Sequence, residues 1–256
     1  MIHSIVLPDT GSEVDRAREL LASKHGILLD WDGCVAIDNK PHAAGSEFIA
    51  RHLDRIAVVS NSSSLRPQDM CRTLAECGIH LPRERIILAG HQALLRAAEA
   101  KKRALVLGSP AMRAMARDLG IIQVTSRIEQ VVLLRDTRFS YARLTQSVNA
   151  LRDGASLIVA NPDLTHPGKG GTIVPETGTL LAALLACVPA EDLHMEIIGK
   201  PGPFLFRKAC LALGVSVDQA IMIGDNPATD IKGADGLGME SILVKPGSDL
   251  RLSALY

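Results

Sequence analysis

The 256 residues are 47% hydrophobic and 22% charged, a length and balance that bury a sizeable core and exclude a disordered chain. Twenty-eight basic residues cancel 28 acidic ones and aromatics make up only 3%, which excludes the basic footprint and stacking platforms of a nucleic-acid-binding module. The longest apolar stretch, Leu180 to Val188, is about half a membrane span, the N-terminal segment meets acids before any signal-like apolar core, and the five cysteines are scattered without a CxxC pair. The expectation is a soluble cytoplasmic protein with free thiols and no membrane or nucleic-acid partner.

Taken in chain order, the first apolar run is GILLD at 26–30, followed by IAVVSNSS at 56–63 and a helical pattern from Pro67 to Cys77 that Gly78 stops. A long stretch then carries its own alternation. It holds a helix near His91 to Lys101, ALVLGS at 104–109, a helix from Pro110 to Leu119, VVLL at 131–134, a helix near Tyr141 to Arg152, LIVANPD at 157–163 and a turn-rich HPGKGG at 166–171. After it come EIIGKPG at 196–202, a helix from Pro203 to Leu213 stopped by Gly214, AIMIGDN at 220–226 and SILVKPG at 241–247. Runs that are apolar at consecutive positions suit strands buried on both faces, so the alternation predicts an α/β fold with a doubly wound parallel-sheet, Rossmann-like core. A crossover needs far fewer residues than separate the second and third core runs, so residues 85–189 are expected to be an inserted α/β domain within a core of 1–84 and 190–256.

Such a sheet binds ligands beyond the carboxyl ends of its strands, where the polar clusters lie. Asp30-Trp31-Asp32-Gly33 puts two carboxylates two residues apart, on one side of the chain, where like charges call for a cation or a raised pKa. Gly224-Asp225-Asn226-Pro227-Ala228-Thr229-Asp230 adds two more acids after another buried run, and hard oxygens from separate strand ends suit Mg2+. Ser60 and Asn61 offer a hydroxyl and an amide to phosphoryl oxygens, and Lys200 a point charge. Each cluster alone also has a plain use: solvated loop acids, a helix cap at Asp225 or Asp230, capping by Ser62 to Ser64, a solvated lysine before proline.

As an ordered set at the ends of apolar runs, DxDG, SN, K and GDxxxxD resemble the four motifs of the haloacid dehalogenase superfamily of phosphohydrolases. The insert resembles the C2-type cap of its type IIA, nitrophenylphosphatase and nucleotide-phosphatase branch, with matches at VLGSPAM 106–112, FSY 139–141, IVANPD 158–163 and PETGTLLAAL 175–184. The resemblance implies that Asp30 is the nucleophile, forming an aspartyl-phosphate, and that Asp32 is general acid and then base. It implies Mg2+ held by the Asp30 and Asp225 carboxylates and the Asp32 carbonyl, with Asp230 reaching it through water, and a phosphoryl group held by Ser60, Asn61 and Lys200. Asp163 would select the leaving group, with His166 and Lys169 in the same loop. The cap would close over the core site, and a homodimer through the cap is a further expectation.

Departures from the family pattern are Trp31 and Cys34 in the first motif, Leu134-Arg135-Asp136 where Gly, an apolar residue and Asp are usual, and Ala89-Gly90 in place of Thr-Ser. Residue 31 should point away from the two acids, and Cys34 is either a packed thiol or a redox-sensitive one. The expected activity is hydrolysis of a small soluble phosphate monoester of nucleotide, sugar, phosphoglycolate or pyridoxal phosphate type. A phosphotransferase would use the same intermediate. A phospho-accepting receiver would carry its Asp mid-chain in about half this length, and neither GxGxxG after a first strand nor GxxxxGK[ST] is present for a dinucleotide enzyme or a P-loop kinase.

Overall fold

In a computed structural model of the chain, the described residues are 11–37, 39–167, 172–245 and 251–255. The chain divides into two compact units, one made of the residues up to 60, 67–87 and those from 200 onward, the other of 61–66 and 88–199.

The first unit is built on a five-stranded sheet in the order Glu240–Leu243, Ala220–Gly224, Gly26–Leu29, Ile56–Ser60, Ile86–Leu88. The first three pairings are parallel, with Leu28 opposite Met222 on one side and Ala57 on the other. Every residue of Gly26–Leu29, Ile56–Ser60 and Ala220–Gly224 is buried, as central strands covered on both faces require. The helix Phe204–Leu213 packs on Gly26–Leu29 and Ile56–Ser60 through Leu205, Phe206, Ala209 and Cys210, and Gly214 ends it in the left-handed conformation at φ 69°. From Gly26–Leu29 the chain adds strands first to one side and later to the other. The order therefore reverses at this central strand, and its carboxyl end is the switch point at which such sheets place their ligands.

The second unit has its own parallel sheet in the order Met195–Ile197, Ser156–Val159, Gln130–Leu133, Arg103–Leu107, Ile122–Gln123. Alternate residues Leu105, Leu107, Val131, Leu133, Leu157 and Val159 send their side chains to one face, where the helices Tyr141–Arg152 and Thr177–Leu185 contribute Ala150, Leu151, Leu181 and Leu184. Ser109 caps the helix Pro110–Asp118 by accepting from the Met112 N–H, with Pro110 opening it.

Two readings of the sequence are corrected. The run at 196–202 does not supply a core strand: Met195–Ile197 is an edge strand of the second sheet, paired with Ser156–Val159, and the core takes Ile86–Leu88 instead. A short apolar run specifies a strand without naming its partner, and the partial exposure of Met195, Glu196 and Ile197 marks an edge position rather than a centre. The turn-rich loop is flanked by a two-stranded antiparallel ribbon, Thr165–Pro167 with Ile173–Pro175; its tip, including Lys169, lies outside the described residues. Among the described residues no helix is long and apolar enough to cross a membrane.

Candidate active site

Asp30 continues the central strand, its N–H donating to the Ile223 carbonyl at 2.9 Å. The next residues turn back on themselves: the N–H groups of Val35 and Ala36 both donate to the Trp31 carbonyl at 2.9 Å, and Gly33 N–H donates to the Ala36 carbonyl at 3.0 Å. Trp31 is only 1% exposed whereas Asp32 is solvent-exposed, so the two neighbours face opposite ways. Gly33 has φ +89°, and a Cβ built there would lie 2.2 Å from Asp225 Oδ2. The turn therefore needs glycine twice over, for its backbone angle and for the carboxylate lying against it.

His42 holds this turn from outside. Its Nδ1 accepts from the Gly45 N–H at 3.0 Å, capping the helix Ala43–Arg51, which leaves the proton on Nε2 to donate to the Cys34 carbonyl at 2.9 Å. No metal-ligand spacing draws attention to this histidine. The available signal is its place immediately before a helix, an N-cap position that serine or aspartate more often fills.

At the strand ends one carboxylate oxygen each from Asp30, Asp225 and Asp230 lies within 4.8 Å of the others. Lys200 Nζ is 2.5 Å from Asp30 Oδ1 and 2.6 Å from Asp230 Oδ1, and donates to the Val59 carbonyl at 3.0 Å. Although Lys200 follows an edge strand of the other sheet, its ammonium is buried in this cluster. Asp230 is wholly buried on the turn Pro227–Ile231. Its Oδ2 accepts from the Asn226 N–H at 3.1 Å, while the Asn226 side chain caps the turn by accepting from Ala228 N–H at 2.9 Å. A Cβ on Gly224 would lie 2.2 Å from Asp230 Oδ2, so this glycine too is a place where a carboxylate comes down on the backbone. Ser60 Oγ donates to Asp32 Oδ2 at 3.3 Å.

Three carboxylates against one ammonium leave the cluster short of positive charge. Burial pushes the Asp30 carboxyl well above its ordinary range, and Asp230 and Asp225 push the same way against the pull of Lys200. Burial and then Asp230 raise Asp225 as well. Burial alone would lower the Lys200 ammonium, but Asp230 and Asp30 outweigh it and hold the group protonated above the usual lysine range. Cys34 is buried, and burial followed by the charge of Asp30 drives its thiol well up, which makes it a packed, inert side chain. Hard oxygen donors converging with an excess of negative charge fit a divalent cation such as Mg2+.

Asn61 and Asp163 meet within the second unit, where Asn61 Nδ2 donates to Asp163 Oδ2 at 3.0 Å. In the same loop His166 Nδ1 is 2.8 Å from Glu176 Oε1, which also lies 3.4 Å from Arg135 Nη1.

Residues 27–122 match the haloacid dehalogenase-like hydrolase family, and residues 197–254 match a second family model of related hydrolases. Chronophin of Mus musculus is 30% identical over 258 residues, covering 90% of this chain and 84% of that protein. The chain belongs to the haloacid dehalogenase-like hydrolases. It is similar also to the dihydroxyacetone phosphatase of Corynebacterium glutamicum, 29% identical over 225 residues that cover 86% of this chain and 80% of the relative. Among solved structures, a 4-nitrophenylphosphatase from Thermotoga maritima superposes with a TM-score of 0.79 at 28% identity, over 88% of this chain and 87% of that one. The protein is thus a phosphoric monoester hydrolase of the nitrophenylphosphatase-like branch.

One departure of this hydrolase from its family pattern now has a physical reason. Gly90 N–H donates to the Ser62 carbonyl at 3.0 Å, and a Cβ at Gly90 would lie 2.7 Å from Ser63 Cα, so the segment 61–66 can approach only a residue without a side chain.

The glycine at 33 yields a test of the carboxylate cluster. Gly33→Ala is expected to destabilise the protein by about 1–2 kcal/mol for the left-handed backbone. Because the Asp225 carboxylate must also move aside, the variant should bind Mg2+ more weakly in a calorimetric titration. Unchanged Mg2+ affinity would remove Asp225 from the candidate cation site.

Proposed function

We propose that this hydrolase is a Mg2+-dependent phosphatase of small phosphate monoesters that works through an aspartyl-phosphate on Asp30. The observation that carries the reading is the convergence of Asp30, Asp225, Asp230 and the buried Lys200 at the carboxyl ends of the core strands. Asp30 and Asp225, with the Asp32 carbonyl, would hold the cation, and Asp230 would stand behind them, tethered to Lys200 and Asn226. When bound, Mg2+ would supply positive charge against the phosphoryl oxygens and against the crowded carboxylates.

The chain's own residues carry the reaction. An Asp30 oxygen attacks phosphorus as the ester P–O bond breaks, and Asp32 passes a proton to the departing oxygen. Asp32 then takes a proton from a water that attacks the same phosphorus, which breaks the acyl-phosphate bond, frees inorganic phosphate and restores Asp30. Asp32 is suited to both transfers because it is exposed on a turn held by Gly33 and His42, with Ser60 as a hydrogen-bond donor to it. Ser60, Asn61 and Lys200 hold the phosphoryl group, since this chemistry needs mainly positioning and neutralisation of spread charge. Asp163 contributes to the choice of leaving group. Relatives are named as phosphatases of dihydroxyacetone phosphate, nucleotides and glycerol phosphate, which supports a small phosphorylated metabolite as the substrate class.

The test is phosphate release from a panel of nucleotide, sugar and three-carbon phosphates together with nitrophenyl phosphate, with Mg2+ and with chelator. Chelation should lower the rate by about 100-fold or more, and Asp225→Asn should raise the Mg2+ concentration needed for half-maximal rate at least about tenfold. Metal-independent release would overturn the reading.

A further inference from the structure

The contact between Asn61 and Asp163 is held in place by a third residue. Asn161 is 1% exposed and its amide makes three hydrogen bonds: Nδ2 donates to the Asn61 carbonyl at 2.7 Å and to Thr177 Oγ1 at 3.3 Å, and Oδ1 accepts from the Asp163 N–H at 3.1 Å. With the 3.0 Å bond from Asn61 Nδ2 to Asp163 Oδ2, the three residues close a ring. Thr177 anchors this ring to the buried Ser63, whose Oγ lies 2.9 Å from Thr177 Oγ1 and accepts from the Arg135 N–H at 3.0 Å.

The backbone comes close to the ring on two sides. Gly178 N–H donates to the Asp163 carbonyl at 2.8 Å, and a Cβ on Gly178 would lie 2.2 Å from the Pro162 carbonyl oxygen. A Cβ on Gly199 would lie 2.7 Å from both Asn61 Oδ1 and the Ala160 carbonyl oxygen. A buried amide with its donors and acceptor all engaged is expensive to disturb and specifies one arrangement.

We infer that Asn161 is a positioning residue: it sets the spacing between the Asn61 amide, which meets the phosphoryl group, and the Asp163 carboxylate, which meets the leaving group. The inference rests on the function proposed above for what those two residues touch, and on the ring alone for what holds them. Its consequence is discrimination between esters. A hydroxyl-bearing leaving group draws on Asp163, whereas the aryl leaving group of nitrophenyl phosphate offers it no hydroxyl.

Asn161→Asp is the informative variant, because it keeps the acceptor for Asp163 and replaces both donors with oxygen. In the folded variant, the Asn61 side-chain amide should lose its protected position. Its nitrogen-bound protons should shift and exchange with water at least about tenfold faster by NMR, while backbone amides of the sheet Gln130–Leu133 and Ser156–Val159 stay as they were. In kinetics, kcat/KM for a glycerol phosphate should fall about tenfold further than that for nitrophenyl phosphate, and this extra loss should vanish in an Asp163→Ala background. An Asn61 amide signal that does not move in folded Asn161→Asp overturns the inference whatever the activity. Equal loss on both esters does so too where Asp163→Ala alone changes the preference. Should Asp163→Ala leave the preference unchanged, the reading of Asp163 fails while the NMR result still decides the role of Asn161. If Asn161→Asp does not fold, Thr177→Val removes one partner of the same amide and should move the Asn61 signal in the same direction.

Discussion

Asp30→Asn is expected to lower kcat by about four orders of magnitude or more while leaving the fold intact. An amide of the same shape cannot attack phosphorus and be regenerated by water, so the loss falls on the chemical step. Stability should move little, or upward, because the wild-type carboxyl is buried and faces Asp230 and Asp225, and an amide relieves that repulsion while Asp230 continues to pair with Lys200. The pH dependence provides a second readout. A carboxyl whose folded pKa is raised stabilises the fold in its protonated form. Its contribution to stability in metal-free buffer is therefore fully present below the unfolded carboxylate value of about 4 and is lost as pH rises through the higher folded value. Asp30→Asn should flatten that decline in a series of thermal melts. Residual turnover above about 1% of wild type, from protein free of wild-type contamination, would assign the nucleophile to another residue.

Lys200→Met should be the most destabilising single change in the site. It removes the ammonium that lies 2.5 Å from Asp30 and 2.6 Å from Asp230 and leaves two buried acids facing each other. Breaking a buried pair from one side costs about 3–5 kcal/mol, which for a protein of this size lowers the melting temperature by about 10 °C. The double variant Asp30→Asn with Lys200→Met should recover part of the loss, since it removes one of the acids left unneutralised. Mg2+ should recover part of it too. In the function proposed above, phosphatase activity should fall at least about 100-fold, because the phosphoryl group would lose its point charge. A melting temperature within about 2 °C of wild type in metal-free buffer would mean that Lys200 does not balance these carboxylates.

Much of this architecture is written locally. Ile27 to Leu29, Val58 and Val59, and Ile221 to Ile223 are apolar at consecutive positions in short runs that end in polar or glycine-containing clusters, which suits strands covered on both faces and so a parallel sheet. The chemistry is legible for a related reason. A polar residue directly after such a run must stand at a strand end, and Asp30, Ser60 and Asp225 all do. The acids that press on the backbone at Gly33 and Gly224 are Asp225 and Asp230, neither of which is the carboxylate that a reading of the first motif alone would pair with Gly33.

What the sequence by itself determined is therefore the alternation of buried strands with helices along most of the chain, and the acids, hydroxyl and lysine of the candidate site. Only the tertiary structure decided how they are partnered. It sent Met195–Ile197 to the edge of the second sheet and recruited the three residues Ile86–Leu88 to the first. It turned Lys200 into the core cluster, set His42 behind the Cys34 carbonyl, and grouped Asn61 to Arg66 with the inserted unit through Asn161, Thr177 and Ser63. The reason is physical: burial along a strand or helix is dictated by side chains a few residues apart, whereas strand pairing, a lysine's choice of carboxylate and a buried amide's three partners depend on groups brought together from distant parts of the chain. No local pattern encodes those distances.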